Sequence, residues 1–159
     1  MRHLPKHLRQ RWRYLAVGLE TWPDADFDRR AFQRATWYAA QNLLGDVGSA
    51  DADLRVLRFR LGEGEGEAVV RVRHGAVETG RAVVACVHAV DGHDVGVHVR
   101  GVSGTVRACE EKYMGGPTEK ADHVRVTFRG ADRPAVRRGG LLDVETDGDL
   151  TGATRLDTE

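Results

Sequence analysis

The sequence predicts an α+β fold: a split βαβ sandwich in which one four-stranded antiparallel sheet carries two helices on one face, followed by a short C-terminal helix. Three observations predict it. Apolar residues alternate with a period of two in four segments. Two intervening segments place apolar residues three and four apart, as a core-facing helix does. The order is strand, helix, strand, strand, helix, strand, which is the order of ferredoxin-like and RRM-like folds.

Residues 14–20 form the first strand, with Leu15, Val17 and Leu19 on one face. Trp22, Pro23 and Asp24 end it. Residues 27–44 form the first helix, with Asp24 or Asp26 as cap and Phe32, Ala35, Ala39 and Leu43 as its apolar stripe. Gly45 and Gly48 stop it. Residues 54–61 alternate again, with Leu57, Phe59 and Leu61 inward, and the glycine-rich run 62–66 turns the chain. Residues 67–74 make the third strand, with Ala68, Val70 and Val72 inward. A second helix covers 76–90, Asp91 and Gly92 turn, and residues 94–102 make the fourth strand with Val95, Val97 and Val99 on one face. A last short helix spans 105–113 and ends at Gly115, Gly116 and Pro117. Residues 122–129 offer one more strand through Val124, Val126 and Phe128.

Charge divides the chain into parts. The 159 residues balance 24 basic against 24 acidic side chains. Yet residues 1–13 carry Arg2, Lys6, Arg9, Arg11 and Arg13 and no acid, which reads as a basic arm. Residues 141–159 carry Asp143, Glu145, Asp147, Asp149, Asp157 and Glu159 against Arg155. The division is therefore an arm over 1–13, an RRM-like domain over 14–115 and an extension over 116–159. The extension is acidic and poor in large apolar residues, so disorder is expected from about residue 140, and the domain is expected to fold without 141–159. Nearly all basic side chains are arginine, the only lysines being Lys6, Lys112 and Lys120. Arginine's planar fork suits phosphate, while a salt-adapted, high-GC source explains the same composition. No apolar run approaches a membrane span and no signal peptide is evident, so a cytoplasmic protein is expected. Cys86 and Cys109 make no disulfide framework. Cys86 lies in the apolar run 83–87 and is expected to be a buried free thiol.

If the helices cover the face bearing Leu15, Leu57, Val70 and Val97, the residues between point the other way. Those are Tyr14, Ala16 and Gly18, then Val56, Arg58 and Arg60, then Val69, Arg71 and Arg73, then Gly96, His98 and Arg100. Neighbouring strands lie about 5 Å apart, so five arginines there would repel without anions or acids between them. An RNA backbone is one such anion; nearby acids, or the final helix lying across the face, are the other account. Tyr14 alone offers a stacking ring, which disfavours simple single-strand stacking. Arg30, Arg34, Trp37, Tyr38 and Gln41 form a polar stripe on the first helix, the composition of a protein interface or a phosphate contact, or of a core edge finished by Trp37. Ser103 and Thr105 at the last helix start either cap it or leave N–H groups for an anion. No CxxC or HExxH occurs, Cys86 and His88 do not share a helix face, and no metal ligands are assigned. No nucleophile stands beside a base, so no catalytic residues are assigned either.

Three stretches together resemble the ribonuclease P protein component 2 family of archaea and eukaryotes. They are Leu4-Pro5-Lys6-His7-Leu8-Arg9 leading to Arg13-Tyr14-Leu15-Ala16-Val17, the helix end from Trp37 through Leu43-Leu44-Gly45-Asp46-Val47-Gly48-Ser49-Ala50, and Val99-Arg100-Gly101-Val102-Ser103-Gly104-Thr105. The resemblance covers about residues 4–115, and nothing carries onto 116–159. It implies an RRM-like fold and a subunit of the ribonucleoprotein that removes the 5′ leader of precursor tRNA. It implies that a large RNA cleaves with Mg²⁺ while this chain binds no cofactor. The implied partners are ribonuclease P RNA, precursor tRNA through the complex, and component 3 with other subunits. On this reading Arg9, Arg11, Arg13, Arg58, Arg60, Arg71, Arg73, Arg100, Ser103 and Thr105 face RNA, and Arg30, Arg34, Trp37 and Tyr38 face a protein. The rival readings are a ferredoxin-like domain that senses a small ligand, which would need an apolar pocket, and a protein-interaction module anchored by Trp37 and Tyr38.

Overall fold

Alternating apolar residues from Leu15 to Leu19 give the first strand, β1 (Trp12–Thr21), an apolar inner face, and the whole stretch is buried. The structure is a computed structural model that describes residues 4–115, 122–138 and 141–158. Met1–His3, Gly116, Pro117 and Gly139 therefore lie outside the described residues. Of the expected arm, Lys6–Leu8 form a 3-10 turn, and Arg13 already belongs to β1.

The helix α1 (Arg29–Ala52) starts two residues later than expected, because Asp28 and not Asp24 or Asp26 caps it: Asp28 Oδ1 accepts from Ala31 N at 2.9 Å. Gly45 breaks the helix locally (φ 73°, ψ 179°) but does not end it. The helix resumes to Ala52, and Asp53 in the left-handed region closes it by donating its N–H to Ser49 O. The buried stripe is Ala31, Phe32, Thr36 and Ala40, with Ala35 and Ala39 at its edge; Leu43 is largely exposed.

Next come β2 (Arg55–Gly62), β3 (Glu65–Arg73), α2 (Val77–Ala85), β4 (Ala89–Val90), β5 (His93–Ser103) and α3 (Val106–Tyr113). The expected helix over 76–90 is thus shorter, and its end supplies β4. Cys86 caps α2 at the surface, so the expected buried thiol is exposed, while Cys109 on α3 is buried. Val83, Val84 and Val87 fill the core instead. The sheet has five strands rather than four, in the order β2-β3-β1-β5-β4, all pairs antiparallel. Its inner face (Leu15, Val17, Leu19, Val56, Val70, Val72, Val95) packs on Phe32 and Ala40 of α1 and on Val83 and Val84 of α2. Each such side chain, fully buried, stabilises the fold by about 1.5–3 kcal/mol.

Val56 was expected on the outer face and is buried on the inner one. The register between β2 and β3 shifts between Val56 and Arg58, a bulge at Leu57 that turns both Val56 and Phe59 inward. A second shift, between Ala16 and Val17, leaves Arg100 as the extra residue of β5.

Where a disordered tail was expected from about residue 140, the chain forms strands. The segments β6 (Asp122–Phe128), β7 (Ala131–Arg138), β8 (Leu141–Thr146) and β9 (Asp149–Thr154) make a second antiparallel sheet in sequential order. The strand expected over 122–129 is β6. Arg129-Gly130 and Asp147-Gly148, all at positive φ, are two-residue hairpin turns of the type whose twist suits paired strands. Phe128, Ala135, Leu142, Val144 and Ala153 form its own small core in a segment that composition alone marks as polar. Arg138 docks this sheet on the first: it is 6% exposed, Nη1 donates to Gly64 O at 2.6 Å, Nη2 donates to Thr21 O, and Nε meets Asp143 Oδ2 at 3.0 Å. Trp22 and His123 stack beside it with centroids 5.6 Å apart.

Candidate nucleic-acid interface

The outer face of the first sheet carries the expected arginines. In register, Arg58 lies opposite Val69, Arg60 opposite Glu67, and Arg71 opposite Tyr14, while Arg73 lies opposite Trp12. Both accounts of how such charges coexist bear on this face. The helix α3 crosses it, burying Cys109 against Ala16 and Val69 with Tyr14, Val106, Tyr113 and Met114 around them. Gly101 makes this possible, because a Cβ there would lie 2.2 Å from Tyr113 Cζ. Gly18 likewise leaves room for the side chains of His98 and Arg100, which lie over it.

The residue that organises this end is Glu67, which sequence reasoning passed over. It shares the outer-face alternation with Val69 and Arg71 and is only 5% exposed. Its Oε1 accepts from Arg100 Nη1 at 2.6 Å and from Gly115 N at 3.3 Å, and its Oε2 accepts from Arg60 Nη2 at 2.7 Å. Burial pushes its carboxyl up, but the Arg100 hydrogen bond, the Gly115 N–H and the charges of Arg60 and Arg100 together hold it below the usual carboxylate range. Arg58 meets Glu110 of α3 at 3.3 Å, and Arg100 also donates to Tyr113 O. Arg58, Arg60 and Arg100 thus have acids at hand.

The opposite end differs. The Arg71 guanidinium stands 3.9 Å over the Trp12 ring and that of Arg73 at 5.8 Å. Arg73 approaches Asp53 only at 3.9 Å. The Nε atoms of both arginines are buried without a hydrogen-bond partner. Trp12 was also missed, because the first strand was expected to begin at residue 14.

The remaining expected residues are dispersed. Arg9 donates to Leu4 O, Arg11 is exposed, and Arg13 Nη2 lies 3.1 Å from His74 Nε2. Ser103 is buried with its hydroxyl unpartnered. Thr105 caps α3, its Oγ1 accepting from Ala108 N at 3.1 Å, so capping is its observed role. On α1, Arg30 is exposed, Arg34 meets Asp91 at 3.6 Å, and Tyr38 is 67% exposed. Trp37 is half-exposed, and its Nε1 donates to Leu54 O at 3.0 Å, so it braces the start of β2 without entering the core. Among the described residues no group of three metal-ligating side chains converges, and no helix is long and apolar enough to cross a membrane.

Comparison with known proteins places this architecture. "Ribonuclease P protein component 2" of Natronomonas pharaonis is 64% identical over 157 residues, 99% of this chain and 98% of that protein. The protein of the same name from Halorubrum lacusprofundi is 62% identical over 159 residues, the full length of both. That of Methanosarcina mazei is 36% identical over 114 residues, 72% of this chain and 93% of that protein. The family model described as the Rpp14/Pop5 family matches residues 13–114, from the start of β1 to the end of α3. The chain belongs to the Rpp14/Pop5 family, as a ribonuclease P protein subunit.

Proposed function

We propose that the chain binds and neutralises the RNA of ribonuclease P, so that the RNA is held in the form that removes the 5′ leader of precursor tRNA. In this reading the cleavage belongs to the RNA and its Mg²⁺, the chain contributes no reacting group, and the complex works in the cytoplasm. The observation that carries it is the outer sheet face, where arginines outnumber the acids that meet them. An arginine cluster of this kind lowers the cost of bringing phosphates together. The stripe Arg30, Arg34, Trp37 and Tyr38 on α1 is assigned to a protein partner, for which ribonuclease P protein component 3 is the candidate. Exposed Tyr with Arg beside it is the composition of an interface anchor.

Reconstitution tests the reading. Ribonuclease P RNA, component 3 and the other subunits are assembled with and without this chain, and precursor-tRNA cleavage is followed at limiting Mg²⁺. The reading expects cleavage to need higher Mg²⁺ when the chain is left out. Equal Mg²⁺ dependence with and without it would refute an RNA-neutralising role.

A further inference from the structure

The outer-face arginines, Arg55 among them, are not equivalent, and the difference locates a subsite. Three of them, Arg58, Arg60 and Arg100, have carboxylates within 3.3 Å. At the other end, Arg55 and Arg71 stand directly opposite each other on β2 and β3. Neither has a carboxylate partner among the described residues. Like charges in a directly opposed pair repel, so this pair destabilises the sheet unless an anion sits over it. Arg55 is exposed and Arg71 half-buried, so the pair opens to solvent. Trp12 holds Arg71: a guanidinium 3.9 Å from the ring centroid is fixed by cation–π attraction, which uses the guanidinium face and no terminal N–H group. Arg73 adds a third cation beside the same ring.

We infer that Trp12, Arg55, Arg71 and Arg73 form a phosphodiester-binding site for the RNA backbone. Trp12 acts as a positioning residue that presents the Arg71 fork. The inference rests on the RNA-binding reading above and narrows it: Arg58, Arg60 and Arg100 serve α3 and Glu67, and the phosphate contacts lie at the Trp12 end.

The test uses the full chain and a transcribed ribonuclease P RNA, with affinity measured against salt over a range where the thermal transition of the protein is unchanged. Changing Arg55 and Arg71 together to Gln reduces the magnitude of the log–log slope by roughly 1–2 units, because each lost phosphate contact removes about one released counterion. Changing Arg58 and Arg60 to Gln leaves it within about half a unit of wild type. Trp12→Leu keeps most of the slope and weakens binding about two- to fivefold, the cost of an unanchored guanidinium. Should the double variant unfold, Arg55→Gln alone, at an exposed position, lowers the slope by about one unit. If wild type binds and the Arg55/Arg71 variants keep its slope, the site is wrong while the RNA reading stands. If wild type itself does not bind the RNA, that reading fails and the site fails with it.

Discussion

Replacing Glu67 by Gln isolates the buried carboxylate of the outer face. The side chain keeps its shape and one carbonyl oxygen but loses its charge, and its new NH₂ group faces the donors of Arg60 or Arg100. A hydrogen bond to a charged group contributes about 1.5–3 kcal/mol. The Arg100 bond, at 2.6 Å on a side chain one-third exposed, falls in that range. The Arg60 side chain is 65% exposed, so its bond is screened and is worth less than about 1 kcal/mol. The expected loss is therefore about 2–4 kcal/mol, or roughly 5–15 °C in Tm for a chain of this size. The sign of the pH effect comes from the lowered pKa. Between the folded and unfolded values the unfolded chain binds more protons, so stability rises with pH. The Glu67 contribution is complete above the unfolded value, near 4.5, and is lost as pH falls through the lower folded value. Thermal melts from pH 7 down to acid should show wild type converging on Glu67→Gln as pH falls. A variant as stable as wild type at neutral pH, with a parallel pH profile, would refute the account of Glu67 as the clamp.

Other consequences are simpler to state. Arg138→Met strands two buried carbonyls and Asp143, at a cost of about 3–5 kcal/mol for breaking a buried charged network. Hydrogen exchange should show it as lost protection in β6–β9, and unchanged protection there would contradict the docking role. Arg34→Ala with Tyr38→Ala removes exposed groups from α1, so the melting curve should stay in place while binding to component 3 or to the RNA falls. Normal binding to both would take α1 out of the interface. In the native protein a thiol reagent should modify Cys86 within minutes and leave Cys109 unmodified, because burial and the nearby Glu110 push the Cys109 thiol pKa up. Equal labelling of both would mean that α3 is not packed on the sheet.

Periodicity was a sound guide wherever a strand ran without interruption. Leu15, Val17, Val70, Val72 and Val95 all sit inward as alternation predicts, and Arg58, Arg60, Arg71 and Arg73 sit outward because four charges cannot share a core. It failed where one residue was added. The bulge at Leu57 sends Val56 inward, and no pattern of residue types announces a bulge in advance. Gly45 was legible as a backbone break and illegible as a kink, since a kink also requires the helix to resume through Ser49 and Ala52. The two residues of β4 are too few to show a period. Glu67 was hidden for a different reason. Its partners lie 7, 33 and 48 residues away, and only the assembled sheet brings them together.

The second sheet shows what composition cannot decide. Its acids and small residues argue for disorder, yet Val124, Val126, Phe128, Leu142 and Val144 alternate correctly and Asp147-Gly148 is a strong hairpin signal. It lies wholly beyond residue 114, where the family match ends. None of its described side chains enters the core built on Leu15 and Phe32, and its own core holds five buried apolar residues. A sheet with so small a core has little stability of its own. It therefore draws order from the first sheet through Arg138 on the Thr21 and Gly64 carbonyls and through the Trp22–His123 stack. A truncation at residue 140 would divide this sheet, removing β8 and β9 and uncovering Phe128 and Ala135. The physical boundary between the two units instead falls between the end of α3 at Tyr113 and the start of β6 at Asp122, since a cut there leaves the first core intact and removes the second whole.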